Sequence, residues 1–132
     1  MSTERHASCG CGQLRVTTTG EPVRISMCHC FECQRRTGST FGVQARFTDD
    51  QVQIEGRSTE WMRTADSGNH IHFHFCPVCG STVFYKLEAL PGFTAVAVGA
   101  FADPNFPSPR VSVYEARKHS WTGIPADAEH LD

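Results

Sequence analysis

The sequence predicts an all-β domain, and three observations predict it. Short runs alternate apolar and polar residues with the two-residue period of a strand. Gly and Pro interrupt these runs at short intervals, as close turns between strands require. No stretch sustains the 3.6-residue period of a helix.

The elements follow in chain order. QLRVTTT (13–19) leaves a Cys-Gly turn with Leu14 and Val16 alternating against polar neighbours. VRISM (23–27) alternates again and delivers the chain into Cys28. FGVQARF (41–47) puts Phe41, Val43, Ala45 and Phe47 on one side, and QVQIE (51–55) does the same with Val52 and Ile54. A strand over 59–63 carries Trp61, and HIHFHF (70–75) alternates strictly. Strands over 82–86, 94–98 and 111–114 complete a set of nine. The one helical turn expected is 31–36, too short to stand without tertiary support. DPNFPSP (103–109) reads as a Pro-rich loop, and Trp61, Tyr114 and Trp121 read as core. The chain reads as one domain over 1–132, with ends frayed over 1–7 and after Pro125.

Bulk composition narrows the function classes. A net charge of −2 and a pI of about 6.4 oppose nucleic-acid binding, which favours a concentrated basic patch. No apolar run reaches the roughly 20 residues of a membrane span. The first residues lack the apolar core of a secretory signal. A cytoplasmic protein is the expectation. There thiols stay reduced, and seven cysteines, an odd number, point to metal and not to disulfides.

The cysteine spacing carries the chemistry. Cys9 and Cys11 form a C-x-C pair, and Cys76 and Cys79 form a C-x-x-C knuckle followed by Gly80. Two such chelating pairs suit a tetrahedral S4 zinc site of the structural kind. Cys28, Cys30 and Cys33 remain, three thiols within six residues. Four plus three is the natural partition, but spacing does not force it. Cys28 and Cys33 could instead close a site with Cys76 and Cys79. His29, held between two of the cysteines, is expected to point away. His70, His72 and His74 share one face of their strand. They read first as a wet face, then as a histidine metal site or as support for a zinc thiolate. Ser39 lacks the G-x-S-x-G setting of a nucleophile, and Glu32 and Glu88 read as surface carboxylates.

Taken in order, SCGCGQLRV, CHCFECQRRTGSTF, FHFCPVCGSTVFY, VAVGAFADP and VYEARKHSW resemble the glutathione-dependent formaldehyde-activating enzyme family, which includes centromere protein V-type domains. The resemblance covers residues 8 to 125. It implies a β-tent fold of small stacked antiparallel sheets. It implies a structural zinc on Cys9, Cys11, Cys76 and Cys79, and a catalytic zinc on Cys28, Cys30 and Cys33. It also implies glutathione as co-substrate and a carbon–sulfur lyase-type reaction, written as S-(hydroxymethyl)glutathione formation from glutathione and formaldehyde. The partners are then a small thiol and a small electrophile.

Glutathione carries two carboxylates, so cations are expected near the triad. Arg35 and Arg36 are the first candidates, with the backbone of Thr37, Gly38 and Ser39 as an anion nest. Two other readings compete. A zinc-stabilised scaffold predicts two closed sites and no pocket at the triad. A methionine sulfoxide reductase needs a metal-free redox cysteine, and none remains.

Overall fold

The computed structural model describes residues 3–131. Its strands are β1 (Glu4–Ser8), β2 (Arg15–Thr19), β3 (Arg24–Cys28), β4 (Gly42–Thr48), β5 (Val52–Glu55), β6 (Thr59–Thr64), β7 (His70–Phe75), β8 (Thr82–Leu87), β9 (Phe93–Ala97), β10 (Val111–Val113) and β11 (Glu129–Leu131). One α-helix, α1 (Phe31–Thr37), lies between β3 and β4. The all-β class holds, and each of the nine expected strands has its counterpart.

Two strands were not expected. β1 occupies ground read as a frayed end, where it pairs antiparallel with β2. β11 lies in the tail after Pro125, where it pairs parallel to β10. Both gain their backbone partners from a neighbouring strand and not from an apolar pattern of their own.

The strands form two sheets. A small sheet has the order β1-β2-β5, and a large mixed sheet has the order β11-β10-β3-β4-β9-β8-β7-β6. The size of the large sheet departs from the expected set of small antiparallel sheets. So do the two parallel pairings of β10, with β3 and with β11.

The period of two divides the large sheet into two faces. Ile25, Val43, Ala45, Phe47, Phe84 and Val96 pack with Leu14 and Val16 of the small-sheet layer. Phe47, Leu14, Val16 and Val96 are fully buried there. Truncating Phe47 to Ala would cost about 3–5 kcal/mol. On the opposite face Ile71, Phe73, Tyr85 and Ala95 form a second apolar cluster.

Trp61, Tyr114 and Trp121 are not core, contrary to expectation. They are 50%, 48% and 72% exposed. Trp61 sits on β6, the edge of the large sheet, where its ring stacks on Phe73 with nothing packed outside it. Trp121 lies beyond β10 in irregular chain beside His119.

The helix α1 is held by caps at both ends. Cys30 is its N-cap, with the Cys33 N–H donating to Cys30 Sγ at 3.3 Å. Gly38 closes it at φ 69° and donates its N–H to the Gln34 carbonyl. That left-handed conformation favours glycine. Gly42 lets β4 pass close to the helix, since a Cβ there would lie 3.1 Å from Arg36 Nη2 and 3.5 Å from Cys33 Cβ.

Candidate functional site

The seven cysteines come together as two separate clusters. Within each, the sulfurs lie within 4.8 Å of one another, Cys9, Cys11, Cys76 and Cys79 in one and Cys28, Cys30 and Cys33 in the other. The alternative that mixed Cys28 and Cys33 with Cys76 and Cys79 is therefore excluded.

The four-cysteine cluster joins the turn before β2 to the knuckle between β7 and β8. Cys11 Sγ lies 3.6 Å from Cys9 Sγ and 3.7 Å from Cys76 Sγ. A tetrahedral zinc with bonds of about 2.3 Å to sulfur needs edges of about 3.8 Å, so the donor set fits that ion. Backbone N–H groups of Leu14 and Val78 donate to Cys9 Sγ and Cys76 Sγ, each at 3.3 Å. Such donors support thiolate charge. The Ser81 hydroxyl and the backbone N–H of Ser81 push the Cys79 thiol down to about 5. Gly80 adopts φ 82°, and a Cβ there would meet nothing within 4 Å. The turn conformation, not crowding, therefore selects glycine in the knuckle.

Sequence reasoning missed one contributor here. Gln13 Nε2 donates to Cys76 Sγ at 2.9 Å and to the Arg57 carbonyl at 2.8 Å, while Gln13 Oε1 accepts from the Arg57 N–H at 3.0 Å. The loop containing Arg57 lies more than forty residues along the chain, so no local signal in the sequence links these groups.

The three-cysteine cluster sits where β3 hands the chain to α1. Cys28 and Cys33 are buried and Cys30 is half-buried. The thiols share their protons unequally. Hydrogen bonds from Cys28 and Cys33, then the N–H groups at the helix start, hold the Cys30 thiol down at about 2. The Cys28 thiol is pushed up, first by Cys30 and Cys33 and then by burial. Among the described residues no fourth His, Cys, Asp or Glu side chain joins this cluster. His29 is fully buried and turned away, with Nε2 3.0 Å from Ser112 Oγ.

A cavity of about 630 Å³ opens beside the cluster, with Cys28, Cys30 and Cys33 in its wall. Ile71, Phe73, Tyr85 and Ala95 supply an apolar side. Arg24, Arg35, Arg36, Arg46, Arg63 and Arg117 also line it. Four of these arginines were not anticipated, because elements distant in sequence bring them together.

The two that were anticipated differ. Arg36 reaches inward, with Nη2 3.7 Å from Cys33 Sγ and its guanidinium over the rings of Phe73 and Tyr85. Arg35 stays at the exposed rim of the cavity, paired with Glu32 at 2.7 Å. The expected anion nest is committed elsewhere. The Gly38 N–H caps the helix, and the Ser39 N–H donates to Thr37 Oγ1 at 3.1 Å.

The three histidines of β7 share one face, as expected, and that face is the solvated one. His72 Nε2 lies 2.6 Å from Glu88 and Nδ1 3.2 Å from Glu60. His70 also meets Glu88, and His74 stacks on Phe84. These groups do not converge on a metal position, and none bonds to the zinc-site cysteines.

No helix among the described residues is long and apolar enough to cross a membrane. Comparison with curated proteins gives no match. Among solved structures, the crystal structure of a Rhodobacter sphaeroides protein from a structural-genomics effort is similar. It has a TM-score of 0.58 and 17% identity, covering 77% of this chain and 90% of that one. That likeness bears on the fold alone. The model of the glutathione-dependent formaldehyde-activating enzyme family matches residues 4–117. With that much of its length matched, the chain belongs to the glutathione-dependent formaldehyde-activating enzyme family.

Proposed function

We propose that the protein is a zinc-dependent carbon–sulfur lyase-type enzyme that joins glutathione and formaldehyde as S-(hydroxymethyl)glutathione. One observation carries this reading. Three cysteines converge on the wall of a cavity with no fourth His, Cys, Asp or Glu donor among the described residues, while the other four already form a complete set. A scaffold with two closed sites would show no such cavity.

Cys28, Cys30 and Cys33 act as ligands and not as nucleophiles. A zinc ion held there would supply an open position that makes a thiol available as thiolate at neutral pH and polarises a small carbonyl. Cys9, Cys11, Cys76 and Cys79 would hold a second, structural zinc. In the reaction the thiol sulfur adds to the carbonyl carbon. One C–S bond forms, the C=O π pair moves to oxygen, and the thiol proton ends on that oxygen, so no oxidant is needed.

The chain's own residues bind and orient the reactants. Arg36 places positive charge beside Cys33 and is fixed there by Phe73 and Tyr85. The Tyr85 phenol, raised above its usual range by burial, stays protonated on the cavity wall and can donate to the developing oxyanion. The cytoplasm suits this chemistry, since seven thiols must stay reduced.

Glutathione and formaldehyde also combine without a catalyst, so the test is the rate of exchange at equilibrium, read by NMR. The zinc-loaded protein should carry two zinc ions per chain and accelerate exchange. Cys33→Ser should retain one zinc and lose the acceleration. A wild-type protein with two zincs and no acceleration would sink the enzymatic reading.

A further inference from the structure

The floor of the cavity holds an unpaired double charge. Arg24 on β3 stands directly opposite Arg46 on β4 in the antiparallel register. Both line the cavity, together with Ser26, Gln44 and Cys28 on the same face of the two strands. Like charges directly opposite one another destabilise a sheet. Neither guanidinium has a carboxylate partner among the described residues. Arg24 Nε is buried with no hydrogen-bond partner, and Gln44 Oε1 is in the same condition. Burial and the charge of Arg24 both act against the Arg46 cation. Two part-buried cations with no counter-ion leave an electrostatic demand that an anion entering the cavity would meet.

The strand spacing relates that anion to the triad. Arg24 and Cys28 lie on one face of one strand, four residues apart, which is about 13 Å at the rise of a strand. The carboxylate of a peptide thiol lies several bonds from its sulfur, and the flexible arginine side chain can span the rest of that separation. Farther along the same sheet face, Arg36 and Arg63 over Phe73 add more positive charge.

We propose that Arg24 and Arg46 anchor a carboxylate of the thiol substrate and so select thiols that carry an anionic end. This rests on the reading of the triad as a thiol-handling site. The arrangement trades stability of the empty protein for recognition.

The test uses the zinc-loaded full chain and calorimetric titration with S-methylglutathione, whose sulfur is blocked, and with its diethyl ester. Wild type should prefer the diacid. Arg24→Gln and Arg46→Gln should each weaken diacid binding roughly tenfold or more and leave ester binding unchanged. Arg15→Gln, outside the cavity, should change neither. Without ligand, Arg24→Gln should melt higher than wild type, by about 1–5 °C, because a repulsion is gone. That rise also shows that the variant folds.

Unchanged diacid affinity in both variants overturns the anchor and leaves the thiol reading standing. If wild type does not bind S-methylglutathione, it is the choice of glutathione that fails. The variants are then titrated with mercaptooctanoate. Weaker binding in both supports the anchor, and unaltered or absent binding overturns it.

Discussion

Gln13 makes one side-chain amide serve three partners. Its Nε2 group donates to Cys76 Sγ and the Arg57 carbonyl, and its Oε1 accepts from the Arg57 N–H. The residue therefore ties a loop to the four-cysteine cluster and places a donor on one of its sulfurs. Replacing Gln13 by Glu keeps the size and removes the donor, turning a carboxylate toward a thiolate. We expect Gln13→Glu to lose about 1–3 kcal/mol of stability in urea denaturation, as a part-buried donor to a charged sulfur is lost. It should also bind the structural zinc at least tenfold more weakly, the usual cost of losing outer support for a ligand. A variant as stable and as metal-tight as wild type would show that Gln13 only fills space. At this scale the cysteines were legible, because C-x-C and C-x-x-C spacing is local chemistry. Gln13 and four of the six cavity arginines were not. Their partners come from strands and loops distant in sequence, and an isolated glutamine or arginine carries no mark of where it will point.

The elements show the same division. Nine strands were legible from short apolar–polar runs between turns, most clearly where alternate side chains are buried, as Ile71 and Phe73 are in β7. β1 buries only Ala7, and β11 exposes all three of its residues, so neither writes a pattern into the sequence. The other face of β7 gives a pH prediction. Both ring nitrogens of His72 face carboxylates, Glu88 first and Glu60 second, and this raises its pKa. Only the imidazolium can donate from both nitrogens. His70, His74 and Lys86 surround it on the same surface. For a raised histidine, the stabilisation is fully present below the ordinary value of about 6.5 and is lost as pH rises through the raised value. The same contact lowers the pKa of Glu88, so at the acid end the stabilisation is lost as pH falls below the usual glutamate range. The stability gap between wild type and His72→Gln should therefore be widest at about pH 5–6.5 and should close by about pH 9. Denaturation midpoints across that range would measure it. A gap that is flat or grows with pH would contradict the assignment.

At the scale of the whole molecule the two cysteine clusters differ in what they connect. Cys9 and Cys11 stand between β1 and β2 of the small sheet, and Cys76 and Cys79 stand between β7 and β8 of the large one. A metal there cross-links the two layers that enclose the main core, and Cys9 and Cys76 themselves belong to that core. Cys28, Cys30 and Cys33 lie within a single short segment at the end of β3 and the start of α1. A metal there closes no long loop, and its removal leaves the helix caps and the β3–β4 ladder in place. Metal loss should therefore come in two stages. A mild chelator should first remove one zinc per chain, with exchange activity lost and the melting temperature changed by only about 1–5 °C. Stronger chelation, or Cys79→Ser, should remove the other and lower the melting temperature by more than about 15 °C, since binding energy at a structural zinc site is folding energy. Calorimetry alongside metal analysis would follow both stages. Simultaneous loss of the two ions, with a single collapse of structure, would mean that the triad supports the fold as much as the four-cysteine cluster does. The division between a structural and a reactive centre would then have to be abandoned.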